Sequence, residues 1–153
     1  MAYLCIAALI FAGELGIKNY VEKKRNAGEE KEICKGRILL RKYHNKGACM
    51  NLGEKKSNVV AGLSLILTAA LALVFLFTLT RHGNGWLKAG LSLLLGGAFS
   101  NTYDRLKRKY VVDYFSIQWK SLKKVVFNLG DMFIFLGSAL LVISQAAEIF
   151  KKN

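Results

Sequence analysis

The chain contains two aspartates, Asp113 and Asp131, whose type and spacing suit acid–base catalysis. They lie 18 positions apart, each beside an apolar stretch. Two carboxyl groups held close together cannot both ionise easily, so one keeps a proton while the other acts as a base. Such a pair can activate water and protonate a leaving amide nitrogen. The two aspartates are therefore candidates for the hydrolysis of a peptide bond.

Simpler structural roles are open for both aspartates. Asn128 lies three residues before Asp131, a spacing typical of an N-cap followed by an acidic residue that complements the helix dipole. Asp113 is also a candidate salt-bridge partner, because the chain has 23 Lys and Arg against 10 Asp and Glu. The sequence contains no nucleophilic-serine, zinc-protease or phosphate-loop motif. His44 and His82 leave a Ser/His pairing open.

Apolar helices are the elements that must position these residues. Apolar residues make up 53% of the 153-residue chain, and residues 59–80 are a run of 22 without a charged side chain. About 20 such residues cross the hydrocarbon core of a bilayer. We predict an all-α membrane protein of one domain, residues 1–153, with a small β-sheet between its first and second helices. Four transmembrane helices are expected at about 2–18, 59–80, 87–103 and 127–149, with both termini on one side.

The N-terminal stretch has an alternative interpretation as a cleaved signal peptide. It lacks a basic start, and Glu14 and Lys18 stand where a cleavage site would lie, so we expect a retained span. These two residues are four positions apart and share a helical face. The simplest interpretation is an ion pair near a helix end, with Lys18 reaching to the membrane interface. A role in a site is the alternative, because ionisable residues inside a span are costly.

Two long polar connections carry most of the charge. The first, residues 19–58, contains two short predicted strands around Gly36. The second, residues 104–124, mixes aromatic and basic side chains and is expected to lie at the lipid headgroups. The net charge of +13 suggests nucleic-acid binding, but a base-stacking surface needs a soluble platform, so no nucleic-acid partner is expected. Basic loops beside a bilayer attract anionic lipid, so membrane lipid is the expected contact.

The composition argues against several other classes of protein. So many apolar residues exclude general disorder. Three cysteines are an odd number, which disfavours a disulfide scaffold, although Cys34 and Cys49 would pair if the fold brought them together. With two histidines and no Cys-x-x-Cys spacing, no metal site is expected. No cofactor is expected either.

Five short segments resemble, in the same order, those of the lipoprotein signal peptidases, also called signal peptidase II. That family comprises four-span bacterial aspartic peptidases. The segments are ELGIK at 14–18, HNKGA at 44–48, GGAFSNTYDRL at 96–106, VVDYF at 111–115 and FNLGD at 127–131. Each segment alone is a weak signal, but five in order with matching hydropathy are a strong one.

The resemblance implies a substrate and a set of residue roles. The substrate is a lipid-modified prolipoprotein, cleaved before its diacylglyceryl-cysteine at the outer interface of the bacterial cell membrane. Asp113 and Asp131 are the implied catalytic pair. Substrate binding or ordering of the site is implied for Asn45, Asn101, Asp104, Arg105 and Asn128, and structural support for Glu14, Lys18 and Gly97. We expect a multi-pass enzyme that acts as a monomer.

Three positions depart from the family pattern. Glu14 stands where the family usually has Asp, Ser100 where it has Gly, and Gly130 where it has Ala. The last two positions keep a small residue, so close packing remains possible there. Two other functions stay open on the sequence: a non-catalytic relative that binds lipid-modified peptides, and a small structural membrane protein.

Charge and family resemblance disagree about orientation. The two long connections hold 11 and 7 basic residues, whereas the opposite side has only Arg81, Lys88, Lys151 and Lys152. The positive-inside rule would place the long connections in the cytoplasm. The family places them, with the active site, on the extracytoplasmic side. We expect the family orientation, because the site must meet an exported substrate.

Overall fold

Four long helices dominate the computed structural model, which describes residues 1–48 and 51–152. They are α1 (Ala2–Lys24), α2 (Ser57–Leu79), α3 (Gly85–Lys107) and α4 (Leu129–Lys152). The three strands are β1 (Lys31–Ile33), β2 (Ile38–Asn45) and β3 (Val111–Ile117), and short 3-10 helices at Glu54–Lys56 and Lys120–Lys124 precede α2 and α4. Cys49, and with it the possible pairing with Cys34, lies outside the described residues.

Three of the long helices are apolar enough to cross a membrane. The candidate spans are Ala2–Lys24, Glu54–Leu79 and Leu129–Ala147. Large side chains such as Leu67 and Leu73 on α2 are 70% and 69% exposed. Such an apolar surface is expected of a helix that faces lipid rather than water. The prediction of a helical membrane protein is thereby confirmed, with three of the four expected spans among these candidates.

The fourth long helix, α3, is more polar because it lies among the others. It contacts α1, α2 and α4, and 11 of its 23 residues are buried. Polar side chains on α3 therefore find partners on neighbouring helices; for example, the hydroxyl groups of Thr102 and of Thr68 on α2 are hydrogen-bonded at 2.8 Å. Because protein rather than lipid covers much of α3, its hydropathy is lower than that of the other helices.

Glycines allow α3 and α4 to approach closely. A methyl group added to Gly97 would overlap the carbonyl oxygen of Gly130. Farther along the same helix pair, a methyl group on Gly137 would lie 2.6 Å from the carbonyl oxygen of Gly90 and 2.7 Å from the backbone nitrogen of Leu94. Small residues at such crossings let helix backbones pack tightly inside a membrane. These two glycine contacts hold the first half of α4 against α3.

The sheet is antiparallel, with the strand order β1-β2-β3. β1 and β2 form the hairpin predicted around Gly36. The third strand was not predicted: Val111–Ile117 belongs to the second connection and pairs with β2, where Tyr43 lies opposite Asp113. The strand lacks an alternating polar pattern because its first four residues, 111–114, are all buried. The sheet therefore joins the two polar connections rather than belonging to the first one alone.

The crossing at Gly137 gives a stability prediction. The substitution Gly137→Ala should force α3 and α4 apart and lower the thermal stability, by an amount typical of overpacking, about 1–3 kcal/mol. The matched control is Gly62→Ala on α2, since apart from the chain neighbours and the backbone of its own helix no described atom lies within 4 Å of the added methyl group there. Thermal unfolding of both variants in the same detergent measures the difference. Equal stability of Gly137→Ala and the parent protein would contradict the close packing.

Candidate active site

Asp113 lies on β3 with its side chain buried and both carboxylate oxygens occupied. Its exposed fraction is 2%. Asn45 Nδ2, at the end of β2, donates to Asp113 Oδ2 at 3.1 Å, and Asn128 Nδ2 donates to Oδ1 at 2.7 Å. The simple salt-bridge role that the sequence left open does not apply, because these contacts are to side-chain amides. The two asparagines fix the plane of the carboxyl group.

Asp131 lies in the first turn of α4 and is held by reciprocal capping. Asn128 Oδ1 accepts the N–H of Asp131 at 2.9 Å, and Asp131 Oδ2 accepts the N–H of Asn128 at 3.1 Å. This arrangement satisfies two donors at the start of the helix. The other oxygen, Asp131 Oδ1, accepts from Asn101 Nδ2 of α3 at 2.8 Å. The capping interpretation is therefore correct, and it leaves the carboxyl group in a defined orientation.

One cavity brings the two aspartates together. It has a volume of about 220 Å³, and its polar lining comprises Asn45, Asn101, Arg105, Asp113 and Asp131. Its apolar lining comprises Ala48, Val111, Val125, Val126, Phe127 and Phe135. Asn128 contacts both aspartates, because its side-chain nitrogen donates to Asp113 while its side-chain oxygen accepts the N–H of Asp131. We call this space the inner cavity.

The electrostatics of the site favour a proton on Asp113. Burial is the main cause and the charge of Asp131 the next, and together they raise the pKa of Asp113 to about 7, although the hydrogen bonds from Asn128 and Asn45 oppose the shift. A carboxyl group with that pKa carries a proton in a large fraction of molecules at neutral pH. The cavity can therefore hold one proton donor beside a second carboxyl group, as acid–base catalysis requires.

Lys18 forms the expected ion pair with Glu14, but the expectation that it reaches to the membrane interface was wrong. Its side chain is fully buried. Its ammonium group lies 3.5 Å from Glu14 Oε2 and 3.2 Å from Asp104 Oδ2. It also donates to Ser100 Oγ at 2.9 Å and to Asn101 Oδ1 at 2.8 Å. The acceptors on α3 keep Lys18 inside the protein. One of them, Asn101, also binds Asp131.

Asp104 braces the start of β3. Besides its ion pair with Lys18, it lies 2.9 Å from the guanidinium of Arg108. Asp104 Oδ2 also accepts the N–H of Val112 at 3.1 Å, one residue before Asp113. Asp104 thus pairs with two neighbouring cations and fixes the strand that carries Asp113.

Arg105 connects α3 to the segment after β2. Its Nη2 donates to the carbonyl oxygen of Gly47 at 3.1 Å, and the N–H of Gly47 donates to Asn45 Oδ1 at 3.1 Å. A methyl group on Gly47 would overlap the backbone of Asn51. Glycine is therefore needed for the tight path that this segment takes beside the cavity.

Two of the three departures from the family pattern contact Lys18, and the third lies beside one of them. Ser100 supplies a hydroxyl acceptor to its ammonium group, and Glu14 supplies a carboxylate. At Gly130, a methyl group would lie 2.8 Å from Asn128 Oδ1 and 3.3 Å from Glu14 Oε2. The absence of a side chain at Gly130 thus leaves room for the carboxylate of Glu14. The three positions form one packed unit.

Tyr114 is a site residue that the sequence analysis missed. Its hydroxyl donates to Glu14 Oε1 at 2.5 Å and accepts the N–H of Leu129, at the start of α4, at 3.0 Å. Burial and the charge of Glu14 raise the pKa of this hydroxyl, so it remains a donor. Tyr114 thus ties β3 to α1 and α4. The available signal was a hydroxyl-bearing aromatic residue directly after Asp113.

The histidines do not build a competing site. His44 Nε2 lies 2.6 Å from Glu22 Oε1 and its ring stacks on Tyr110 at 4.0 Å. His82 lies between α2 and α3, at the opposite end of α3 from Asn101. Within residues 1–48 and 51–152, no group of three or more His, Cys, Asp or Glu side chains is arranged to hold a metal ion.

The fold and the site together define a helical membrane protein with an aspartate pair of the kind used for acid–base hydrolysis. A family model described as Signal peptidase (SPase) II matches residues 6–147. The chain therefore belongs to the signal peptidase II family, whose members are proteases.

Curated relatives agree with this assignment over most of the chain. This chain is 32% identical to the lipoprotein signal peptidase of Lactobacillus gasseri over an alignment that covers 92% of this chain and 89% of that protein. It is 28% identical to the one from Clostridium novyi, with 86% and 88% coverage, and 28% identical to the one from Vibrio parahaemolyticus, with 92% and 85% coverage. The resemblance predicted from five short segments is confirmed.

Two solved structures, both of a bacterial membrane enzyme determined by the in meso method, have a similar fold. The one at 2.3 Å resolution has a TM-score of 0.86 at 19% identity, covering 99% of this chain and 92% of the other. The one at 1.9 Å has a TM-score of 0.79 at 20% identity, with 94% and 92% coverage. At these identities the similarity shows the fold alone.

The raised pKa of Asp113 predicts how activity depends on pH. As the pH rises through about 7, Asp113 loses its proton, and a hydrolytic pair with Asp113 as its acid would then be unable to protonate the leaving nitrogen. We expect kcat/KM for a lipidated prolipoprotein peptide to fall roughly tenfold per pH unit above that point. Initial rates between pH 5 and pH 9, in one detergent at constant ionic strength, measure this limb. A rate that stays constant up to pH 9 would contradict the assignment of Asp113 as the acid.

Proposed function

We propose that this chain is a lipoprotein signal peptidase that cleaves lipid-modified prolipoproteins directly before the diacylglyceryl-cysteine, with Asp113 and Asp131 as its acid–base pair. One observation carries the proposal. Asp113 is buried and Asp131 is partly buried, and their carboxyl groups line the same cavity and are connected through a single residue, Asn128.

The surroundings of each aspartate suit a different role. Asp131 lies at the positive end of the α4 dipole and accepts two N–H groups, which favours its ionised form as the base. It takes a proton from water, and the water oxygen bonds to the carbonyl carbon of the peptide. Asp113 then delivers its proton to the amide nitrogen as the carbon–nitrogen bond breaks. The products are the carboxylic acid of the signal peptide and the free amine of the cysteine, and transfer of a proton from Asp131 to Asp113 restores the pair.

The remaining polar residues of the cavity orient the two acids and the substrate. Asn45 and Asn128 hold Asp113, and Asn101 holds Asp131. Arg105 Nε is buried, and the described residues offer it no acceptor. We assign this N–H to a carbonyl oxygen of the bound peptide, because a buried donor without a partner is costly. Glu14, Lys18, Gly97 and Asp104 support these positions from behind.

Four membrane crossings are part of the proposal, with α3 as the fourth. The central position of α3 explains how a more polar helix can share the membrane with three apolar ones. The ends of α1 and α3 and the starts of α2 and α4 then lie at one side, with the sheet and both aspartates. The enzyme is a multi-pass protein of the bacterial cell membrane that works as a monomer and has no nucleic-acid partner.

The aspartates and the sheet face the extracytoplasmic side in this proposal. The substrate is exported, so its cleavage site is reached from that side. The first connection holds many cations, but part of that charge is neutralised locally. Lys42, for example, lies 2.9 Å from Glu22 Oε2. The positive-inside rule counts short loops most reliably, and these connections form a folded sheet instead.

Lipid provides most of the substrate affinity in this proposal. The inner cavity has an apolar wall that includes Phe135 of α4, whose side chain is 58% exposed on the helix surface. Acyl chains of the modified cysteine can remain among membrane lipids while the peptide bond reaches the aspartates. Burying acyl chains contributes about 0.8 kcal/mol per CH₂ group, so a diacylglyceryl group outweighs side-chain contacts.

The acid–base pair can be tested by removing each proton-exchanging group. Asp113→Asn and Asp131→Asn should each lower the cleavage rate by at least about 100-fold, because an amide cannot exchange the required proton. The matched control is Glu32→Gln, an exposed acid on β1, which should cleave at the parent rate. Each variant must accumulate in membranes at the parent level. Substantial turnover by either aspartate variant would exclude the proposed mechanism. The aspartates would then have a role other than acid–base catalysis.

The dependence on lipid separates this function from general proteolysis. A peptide with an unmodified cysteine should be cleaved far more slowly than the same peptide with a diacylglyceryl-cysteine, because most of the binding free energy comes from the acyl chains. Mass spectrometry of the two peptides, at equal concentration in the same detergent, gives the ratio of rates. Equal rates would refute the lipoprotein substrate even if both aspartates proved essential.

A further inference from the structure

A second cavity of about 260 Å³ adjoins Asp113 on the side of the sheet. It shares Asn45, Asp113 and residues 125–126 with the inner cavity. The inner cavity is also lined by residues of α3 and α4. All residues that line the second cavity come instead from β2, β3 and the segment before α4. We call this second space the outer cavity.

Two cations distinguish the outer cavity from the inner one. Among the described residues, Arg41, Tyr43 and Lys124 line the outer cavity but not the inner one, and Asp113 is the one acidic residue in the outer lining. The side chain of Arg41 is mostly buried, at 25% exposure, and Arg41 Nη2 contacts Glu30. Arg41 Nε is buried and lacks an acceptor among the described residues. The guanidinium therefore keeps a hydrogen-bond donor that no described side chain uses.

A β-bulge places Arg41 at the outer cavity. Leu40 lies opposite Phe115 and Tyr43 opposite Asp113, so β2 has one more residue than β3 between these pairs. Bulges redirect side chains and are frequent beside active sites. At this bulge, the side chain of Lys42 turns to α1, where its ammonium group donates to the carbonyl oxygen of Glu22 at 2.9 Å. Its neighbour Arg41 lines the outer cavity instead, so the cation is positioned by the strand and not by a loose loop.

We propose that the outer cavity is a subsite for the first residues after the cysteine of the substrate, and that Arg41 and Lys124 make it selective for acidic side chains. This inference rests on the proposed function. The signal peptide before the cleavage site lies in the membrane and approaches through the inner cavity, which helix residues line. The segment after the cysteine leads away from the membrane, over the sheet, and meets the two cations beside Asp113.

The test uses three lipidated peptides that differ only in the two residues after the cysteine, which are both Asp, both Gln or both Lys. The parent enzyme should cleave them in that order of kcat/KM, with about a tenfold difference between Asp and Lys, as expected for two partly exposed charge pairs. The double variant R41Q/K124Q should remove most of this difference, and R41E/K124E should reverse the order.

The control matched to R41E/K124E is K31E/K35E, which reverses two charges at exposed positions of β1 and its turn and should keep the parent order. If the order persists in R41Q/K124Q, or if the control loses it equally, the subsite proposal is overturned. Should R41E/K124E cleave no peptide, the neutral variant decides. If R41Q/K124Q cleaves all three peptides equally more slowly than the parent enzyme, and only when anionic lipid is present, the two cations bind a lipid headgroup. That result would also overturn the subsite proposal.

Failure of the parent enzyme to cleave any lipidated peptide would refute the proposed function itself, whereas cleavage of all three at one rate would refute only the subsite.

Discussion

The buried ammonium group of Lys18 is the constraint on which the site depends. A charge without solvent contact must be paired and hydrogen-bonded, because its desolvation is otherwise too costly. Lys18 meets this requirement with Glu14 on its own helix and with Ser100, Asn101 and Asp104 on α3. The pairing fixes α1 and α3 in rotation and in register. Removing one partner of such a buried set typically costs about 3–5 kcal/mol.

Both aspartates are positioned through these contacts. Lys18 occupies the side-chain oxygen of Asn101, which turns the amide nitrogen towards Asp131. Asp104 accepts the backbone N–H of Val112 and thereby holds the strand that carries Asp113. A cation that never touches the inner cavity thus sets the geometry of both acids. The asparagines around the pair act in the same way, since each uses its oxygen and its nitrogen for different partners.

The features that the sequence predicts are those that depend on local properties. Hydrophobic length predicts the helices, and short motifs predict the aspartates with their asparagines. The hairpin around Gly36 also follows from local turn chemistry. By contrast, the environment of Lys18 depends on acceptors 82 and 83 positions away, so a local argument wrongly sends it to the interface. β3 is missed for a related reason: its partner strand lies in the other connection, and burial of its first four residues removes the alternating pattern that identifies exposed strands.

The shared sheet also affects when the protein becomes functional during its own synthesis. The β1–β2 hairpin is made first and carries an unpaired edge until residues 111–117 are translated and reach it. Asn128 and Asp131 arrive later still, with the last helix. A nascent chain therefore completes its first three helices before it contains both aspartates. Because chains emerge from the ribosome N-terminus first, the proposed acid–base pair is complete only after the final helix has packed against α3.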